Sequence, residues 1–388
     1  MLKSNKRKLV SALLLALVLL MSTLAGCGNT AEEPKSTAQS ADSTSTSEQK
    51  SDSQQESTDS KSSSEGETRE ITDMAGRTVT IPSTINKVFS TDPITAIYLY
   101  TTSPDKLLGW NYELNKSERK YVLPEYQDIP SFGMGDSVNY EAVIEAQPDI
   151  ALTVTKINDA SIADADKLSE RLGVPVVMVN NDMKAAPEVY RFLGDLLSVE
   201  DHAEALAGYA EKTFADIEAA NIPEDKKVTV YYGNGKDSLE TAPKGSGHAQ
   251  ILDLVGAINV ADLESEDGSR IQVSLEQVLA WNPQYIVVNG EAKQDLTGND
   301  AAESLKSNPD FADIQAVQDG NVFGAPKAPF SWVDRPTGPN RIIGLRWLAA
   351  KLYPEYYTYD IDEEVKEYYD LFYHMELTEE QLQELYND

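Results

Sequence analysis

The hydrophobic positions divide the chain into a polar leading part and a body in which apolar runs recur at short intervals. From Gly28 to Thr68 the sequence contains no Val, Ile, Leu, Met or aromatic residue. A segment of this kind cannot bury enough apolar surface to offset its chain entropy. The pattern therefore predicts a disordered, Ser/Thr-rich tether over residues 27–68 and places the folded body after it.

Within the body, short apolar runs alternate with helical patterns. Four runs have the length and side chains typical of buried strands: Lys87–Ser90, Leu107–Trp110, Ile150–Val154 and Val174–Val179. The segments between them predict three helices: Pro93–Tyr100, Tyr140–Ala146 and Ala163–Leu172. Strands that alternate with helices in this way are typical of a doubly wound α/β domain.

A single long helix separates this first half from a second one. Apolar residues at spacings of three and four residues mark one helix face: Ala203, Leu206, Ala210, Phe214 and Ile217. Pro223 ends the helix, and strand and helix patterns resume after it. The sequence therefore predicts an α/β fold of two lobes, residues 69–200 and 222–388, joined by one connecting helix, residues 201–221.

Each half contains one copy of the same short motif. Asn139 and Ser274 are residue types that cap helices, and each is followed two positions later by a glutamate, Glu141 or Glu276. A glutamate in the first turn of a helix complements the helix dipole, which is a purely structural role. Because the motif occurs once in each half, the sequence also favours a paired role for Glu141 and Glu276.

The amino terminus has the pattern of an export signal. Basic residues precede the apolar run Leu9–Leu20, and the sequence LAGC, ending at Cys27, follows. The run is short for a membrane span, which needs roughly 20 residues, whereas a basic start and a short apolar run are typical of a secretory signal. LAGC resembles the bacterial lipobox, so residues 1–26 are predicted to be a lipoprotein signal peptide and Cys27 the acylated residue. The alternative is a structural cysteine behind an uncleaved anchor.

Composition and charge narrow the function classes. The 388 residues include 33 Lys and Arg against 64 Asp and Glu, so the formal net charge is −31. A basic patch of the size that binds nucleic acid is incompatible with that balance, and we expect no nucleic-acid partner. One cysteine excludes a disulfide framework, and three histidines supply neither a catalytic nor a metal constellation. The sequence predicts a binding protein without cofactor or resident metal; a secreted enzyme or a surface adhesin is the alternative.

Several blocks together resemble the substrate-binding lipoproteins of ABC importers, in the group that serves ferric siderophores, haem and cobalamin. The blocks span residues 70–354: ITDMAGRTVTIPSTINKVFS, VNYEAVIEAQPDIALTV, GSGHAQILDLVGAINVAD, QVSLEQVLAWNPQYIVVNG and FSWVDRPTGPNRIIGLRWLAAKLYPE. The resemblance implies two Rossmann-like lobes joined by a rigid helix, with a ligand cleft between them. It also implies two partners, a permease and its ATPase. The permease has arginine pockets that receive one glutamate from each lobe. Glu141 and Glu276 match those positions.

The ligand contacts are expected at the strand ends, because ligands of open α/β sheets collect beyond the carboxyl ends of the strands. The rule selects six candidates: Trp110, Tyr231, Tyr232, His248, Trp332 and Arg335. The aromatic residues would pack on a large planar or chelated ligand, and Arg335 would fork onto its oxygens. Three alternatives stay open: a salt bridge between Arg335 and Asp334, a helix-capping role for His248, and a core position for one of the two adjacent tyrosines.

The resemblance makes an iron chelate of the ferric-siderophore kind the expected ligand. Cobalamin, haem, an oxyanion such as molybdate, or another metal complex are the alternatives. The negative net charge does not exclude an anionic ligand, because charges beyond a Debye length of about 8 Å are largely screened. We expect the chain to act as a monomer, lipid-anchored at the outer face of the bacterial cytoplasmic membrane.

Overall fold

The computed structural model of the chain describes residues 67–265, 270–290 and 296–387. The predicted signal peptide, the predicted acylation site Cys27 and residues 27–66 of the predicted tether lie outside the described residues. The tether prediction extends one residue too far, because Thr68 already begins the first strand.

The strands and helices of the described residues alternate along most of the chain. The strands are β1 (Thr68–Thr72), β2 (Thr78–Pro82), β3 (Val88–Ser90), β4 (Ile150–Thr155), β5 (Val176–Asn180), β6 (Thr229–Asn234), β7 (Glu240–Thr241), β8 (Ile258–Asn259), β9 (Ile271–Gln272), β10 (Tyr285–Val288) and β11 (Val322–Gly324). The α-helices are α1 (Pro93–Thr102), α2 (Lys116–Lys120), α3 (Tyr140–Glu145), α4 (Asp159–Leu172), α5 (Ala186–Leu197), α6 (Glu200–Ala220), α7 (Gln250–Leu254), α8 (Leu275–Trp281), α9 (Gly298–Ser307), α10 (Gln315–Gln318), α11 (Arg341–Leu352), α12 (Ile361–Tyr373) and α13 (Glu379–Asn387).

The strands form one hairpin and two sheets. β1 and β2 pair antiparallel, and β3, β4 and β5 form a parallel sheet in that order. The second sheet has the order β11-β10-β6-β7-β9, with β8 also paired to β6. Its pairs β11-β10, β10-β6 and β6-β8 are parallel, and β7 and β9 join by antiparallel pairing. The predicted strand Leu107–Trp110 is wrong, because this segment makes only isolated bridges to Val88 and Ser131.

A buried acid fixes the hairpin to the edge of the first sheet. Asp73 is 3% exposed and accepts hydrogen bonds from the amides of Ala75, Arg77 and Met178, the last of them in β5. The Arg77 guanidinium pairs with the same carboxylate at 2.7 Å. A buried charge is tolerated only when it is paired and hydrogen-bonded, and these contacts meet that requirement.

The long helix α6 lies between the two sheets in the chain and matches the predicted connecting helix to within one residue at each end. Ala203, Leu206 and Ala210 of its predicted apolar face are fully buried. The preceding helix α5, which the sequence reading did not identify, packs along α6. Gly194 permits this close approach, because a Cβ at that position would lie 2.6 Å from the Cβ of Ala203.

The carboxyl-terminal helices pack against both halves. On α12, Phe372 contacts the rings of Tyr190 on α5 and Tyr209 on α6, with centroids 5.6 and 5.5 Å away. Tyr373 lies 5.9 Å from Tyr100 on α1. One continuous hydrophobic cluster therefore contains residues of both sheets and of these helices. The α/β fold class, with a sheet on either side of one long helix, is confirmed.

Candidate ligand-binding site

The loops that follow the strands of the two sheets meet at one place. Asp182 comes just after β5 and Gln250 begins α7, and the Gln250 amide donates to the Asp182 carboxylate over 3.2 Å. Gly338, three residues before α11, lies against Ile97 of α1. A Cβ added to Gly338 would be 3.4 Å from the Ile97 side chain. Because ligands of α/β sheets collect beyond the carboxyl ends of the strands, this zone is the candidate ligand site.

A buried carboxylate organises the second-lobe side of this zone. Asp334 is fully buried, and its Oδ1 lies 2.6 Å from Nδ1 of His248. Its Oδ2 lies 3.5 Å from Nε of Arg335. The side chains of His248 and Arg335 are 30% and 36% exposed, so both remain accessible while Asp334 holds them. We refer to these three residues as the Asp334 cluster.

The Asp334 cluster presents hydrogen-bond donors. A carboxylate can only accept a hydrogen bond, so Nδ1 of His248 carries the proton that points at Asp334. Ser331 Oγ accepts the amide N–H of Asp334 over 3.1 Å and so fixes the loop that carries it. Arg335 has φ 58°, a left-handed conformation that is unusual for a residue with a side chain. Such a conformation persists where the surrounding structure enforces it, which is common at binding sites.

A second arginine lies deeper. Arg341, at the start of α11, is 3% exposed and donates to the carbonyls of Gly247 and Thr337, at 3.1 Å each. Burial lowers the pKa of its guanidinium, while Tyr98, Asp334 and Asp182 act in the opposite direction. Arg341 is therefore a buried cation with first-lobe and second-lobe partners close around it.

Two polar side chains of β6 lie near the Asp334 cluster. Tyr232 and Asn234 lie two positions apart on the strand, hence on the same face. The Tyr232 hydroxyl and both amide atoms of Asn234 are buried, and the Asn234 side chain lies close enough to act on the Tyr232 hydroxyl and lower its pKa. Burial raises the pKa of Tyr232 well above its ordinary value; Asp334 raises it further and Arg335 lowers it. Both residues are fully buried, so they form polar core positions near the Asp334 cluster and not part of the accessible cleft surface.

Several of the predicted ligand contacts are buried in the core and are absent from the cleft surface. The two tryptophans are the first of them. Trp110 is 3% exposed, packs on Phe330 and donates from Nε1 to the Tyr126 carbonyl. Trp332 is fully buried and its Nε1 lies 3.3 Å from the Tyr369 hydroxyl. Neither indole reaches a surface on which a ligand could stack, because both rings are buried in the hydrophobic core.

Both adjacent tyrosines, Tyr231 and Tyr232, are fully buried as well, and they lie in core clusters on opposite faces of the sheet. The Tyr231 hydroxyl donates to the Ser238 carbonyl over 2.8 Å, and the residue belongs to a second core cluster on the other face of the sheet from Tyr232. Strand alternation thus directs Tyr232 to the side of Asp334 and Arg335. His248 does not cap α7, which has no side-chain cap.

The two motif glutamates each lie in the first turn of a short helix. Glu141 on α3 and Glu276 on α8 are both exposed. The predicted caps are present, since Asn139 accepts the amide of Ala142 and Ser274 accepts the amide of Gln277. Neither glutamate makes a hydrogen bond or ion pair with another of the residues that the structure describes.

Three residues at or near the site were not among the sequence candidates: Asp182, Asn234 and Arg341. Asn234 ends β6, so the strand-end rule used for its neighbours could have selected it. Arg341 occupies the first turn of a helix, where a cation is unfavourable to the helix dipole. That unfavourable placement was the available signal that its charge serves another purpose.

Two properties of the described ranges bear on function. Their helices include none that is long and apolar enough to cross a bilayer. They also contain no group of three His, Cys, Asp or Glu side chains placed to hold a metal ion.

Comparisons with known proteins agree with this architecture. Residues 97–329 match the family model described as "Periplasmic binding protein". The molybdate-binding protein MolA of Haemophilus influenzae is 27% identical over 333 residues, covering 79% of this chain and 91% of MolA. The uncharacterized ABC transporter substrate-binding lipoprotein YvrC of Bacillus subtilis is 26% identical over 352 residues, covering 89% and 96%. A solved ABC transporter solute binding protein from Sulfurospirillum deleyianum has TM-score 0.74 and 28% identity, covering 82% of this chain and 99% of that chain.

The fold and the site thus define a two-lobed solute-binding protein. The chain belongs to the periplasmic binding protein family. As a member it is the extracytoplasmic substrate-binding component of an ABC importer, which works with a permease and an ATPase. The relatives are all solute-binding proteins, so the prediction that the chain is not an enzyme is confirmed.

Proposed function

We propose that this receptor binds a compact oxyanion of the molybdate kind. The observation that carries the proposal is the Asp334 cluster, in which a fully buried acid positions the accessible guanidinium donors of Arg335 beside the imidazole of His248. Charge-assisted hydrogen bonds from such donors are the strong contacts for a tetrahedral anion. MolA, the relative that shares 27% identity with this chain, is named for binding molybdate.

The burial of the predicted stacking residues points the same way. A large planar ligand such as haem or cobalamin needs exposed ring surface, and Trp110, Trp332 and Tyr231 offer none. Tyr232 and Asn234, near the Asp334 cluster, are polar but fully buried, so they offer no exposed ring surface for stacking either. These observations lead us to prefer an oxyanion as the ligand. The sequence analysis gave an oxyanion as an alternative and a ferric siderophore as the expected ligand.

The test is a ligand panel measured by calorimetry on residues 67–388, with molybdate, tungstate, sulfate, a ferric tris-catecholate and cobalamin as the probes. We expect molybdate and tungstate to bind. Arg335→Gln should weaken molybdate by about 1.5–3 kcal/mol, the range for a hydrogen bond to a charged group. Arg191→Gln, which alters an exposed arginine paired with Glu204 and Glu211 on the connecting helix, is the matched control.

A ferric chelate is the second candidate ligand. Its support is the accessible guanidinium of Arg335, which has the geometry to fork onto two catecholate oxygens. Binding of the ferric tris-catecholate without binding of molybdate would overturn the oxyanion proposal and favour this one.

We further propose that Glu141 and Glu276 dock the two lobes onto the permease. Both are exposed and lack partners among the described residues, and they occupy equivalent positions after equivalent caps. The experiment is molybdate uptake by cells that carry the Glu141→Ala/Glu276→Ala protein at matched surface levels. Uptake should fall while molybdate affinity stays unchanged, and Glu170→Ala/Glu355→Ala, two exposed acids elsewhere, should behave as wild type. Wild-type uptake by the first variant would leave the two glutamates with a helix-dipole role only.

The membrane attachment is also a proposal. We infer cleavage before Cys27 and acylation of its thiol, with the chain held at the outer face of the cytoplasmic membrane; YvrC is named as a lipoprotein. Cys27→Ala should change detergent partitioning and mass, and an unchanged mass would contradict acylation.

A further inference from the structure

The helix that carries Glu141 also carries an exposed apolar side chain, which ordinary folding does not explain. Ile144 is 47% exposed on α3, one helical turn from Glu141 and therefore on the same face. Met134, in the loop that leads into α3, is 44% exposed. Among the described residues, the other large hydrophobic side chains with comparable exposure are Ile258 at 36% and Tyr356 at 37%.

The exposed face of α3 is rigidly presented. Val143, on the opposite face, is fully buried in a core cluster with Phe89 and Met178. The amide of Asn139 donates to the Phe132 carbonyl over 2.8 Å, which closes the loop containing Met134 onto the start of the helix. The Arg171 guanidinium lies 3.5 Å from the ring centroid of Tyr140 and holds the same turn. Ile144 is thus held outward by the fold rather than left exposed by fraying.

The equivalent helix of the second lobe differs at this one point. On α8, Val278 is fully buried as Val143 is, and Glu276 corresponds to Glu141. Leu279 takes the position of Ile144, but it is only partly exposed and packs against the second core cluster. The two lobes therefore present the same charge beside an apolar side chain that faces outward in the first lobe and packs against the core in the second.

We infer that Glu141 and Ile144 form a mixed acidic and apolar docking surface for the permease, and that the second lobe docks through Glu276 by charge alone. This inference rests on the proposed docking role of the two glutamates. The partner it fits is a permease surface with a cation beside an apolar pocket under the first lobe, and a cation without such a pocket under the second. Exposed ion pairs add little energy, and salt screens them. The free energy gained by burying an isoleucine side chain is not screened by salt. The first lobe would therefore supply the salt-resistant part of the affinity.

The experiment measures binding of the molybdate-treated chain to the purified permease–ATPase complex in lipid nanodiscs, at about 0.05 M and about 0.5 M salt. Ile144→Ser should weaken binding by about fivefold at both salt concentrations, as expected for half-burial of one such side chain. Ile258→Ser, which removes a 36% exposed isoleucine elsewhere, is the matched control and should have no effect. Glu276→Ala should weaken binding at low salt and much less at high salt.

The outcomes separate this inference from the proposal on which it rests. Wild-type binding by Ile144→Ser, together with weakened binding by Glu141→Ala/Glu276→Ala, would overturn the apolar surface and leave the charged docking intact. Wild-type binding by the double glutamate variant would overturn the docking proposal itself. Sedimentation of the free chain completes the test, because a dimer that Ile144→Ser dissociates would assign the surface to a second copy of this chain. Urea unfolding of Ile144→Ser should match wild type, since the side chain is outside the core.

Discussion

At the scale of single residues, buried acids determine the local geometry. Asp73 collects three backbone amides and an arginine, and Asp334 fixes the imidazole and guanidinium that form the candidate anion site. Asp92, the cap of α1, accepts the amides of Ile94 and Thr95, and burial raises the pKa of its carboxyl. Several donors converge on Asp73 and on Asp92, which offsets the cost of burying each carboxyl group. Asp334 is held by one hydrogen bond, from His248, with Arg335 beside it.

Two of the three histidines meet at a junction of helices. His374 ends α12 in a left-handed conformation, and its ring centroid lies 5.2 Å from that of His202 on α6. Burial lowers the pKa of His374, the neighbouring His202 lowers it further, and Tyr100 and Asp370 raise it. The folded state therefore favours the neutral imidazole.

This shift predicts a pH dependence of stability. Because the folded pKa lies below the unfolded value of about 6.5, the unfolded state binds more protons and the free energy of unfolding falls as the pH drops below that value. His374→Asn keeps a residue suited to the left-handed position and should flatten this dependence between about pH 7 and the lowered folded pKa. Urea unfolding of the variant and of wild type across that range is the measurement. An equally steep dependence in His374→Asn would assign it to other groups.

At the scale of elements, capping side chains fix where helices begin. α1, α3, α8 and α9 each start with a side-chain cap, and α4 starts with a full capping box. In that box Asn158 accepts the amides of Ala160 and Ser161, and the Ser161 hydroxyl accepts the Asn158 amide, all at 3.0 Å. These local contacts set the direction of the helices that lead into and out of the strands.

The capping box of α4 yields a prediction at this scale. Asn158→Ala should lower the free energy of unfolding by about 0.5–2 kcal/mol, because two amides of the first turn lose their acceptor. Asn158→Ser supplies an alternative oxygen and should recover most of the loss. The measurement is chemical denaturation followed by circular dichroism. A loss equal in both variants would place the effect outside capping.

At the scale of the whole molecule, one core connects the halves. The largest hydrophobic cluster includes Val88 of the first sheet, Val230 of the second and the aromatic residues of α12. Arg346, 1% exposed on α11, adds a polar link: it bonds Thr213 and Asp216 of α6 at 2.9 Å each and pairs with Glu364 of α12. The carboxyl-terminal helices therefore tie the connecting helix to the rest of the folded body.

This shared core predicts cooperative unfolding. Phe372→Ala removes a fully buried ring that stacks 4.2 Å from Tyr368 and touches Tyr190 and Tyr209. It should lower the free energy of unfolding by about 3–5 kcal/mol, the range for Phe to Ala in a core. Tryptophan fluorescence and circular dichroism should report one coincident transition in wild type and variant. Separate transitions for the two signals would show that the lobes unfold independently.

The sequence by itself determined the features that depend on local order. Hydrophobic periodicity located the three strands of the first sheet and the connecting helix, because burial on one face leaves a readable repeat. Capping residue types located the starts of α3 and α8. The sequence also marked Glu141 and Glu276, whose motif is contiguous. The segment around Leu107 showed the limit, since a short apolar run looks the same whether or not a strand pairs with it.

Only the tertiary structure decided which side chains face the cleft. Trp332 and Arg335 are three residues apart in one loop, yet one ring is enclosed by α12 and α13 while the other side chain is accessible. The pairing of Asp334 with His248, 86 positions apart, likewise depends on how distant elements pack. Burial of a loop residue is set by neighbours remote in sequence, and no local pattern encodes them.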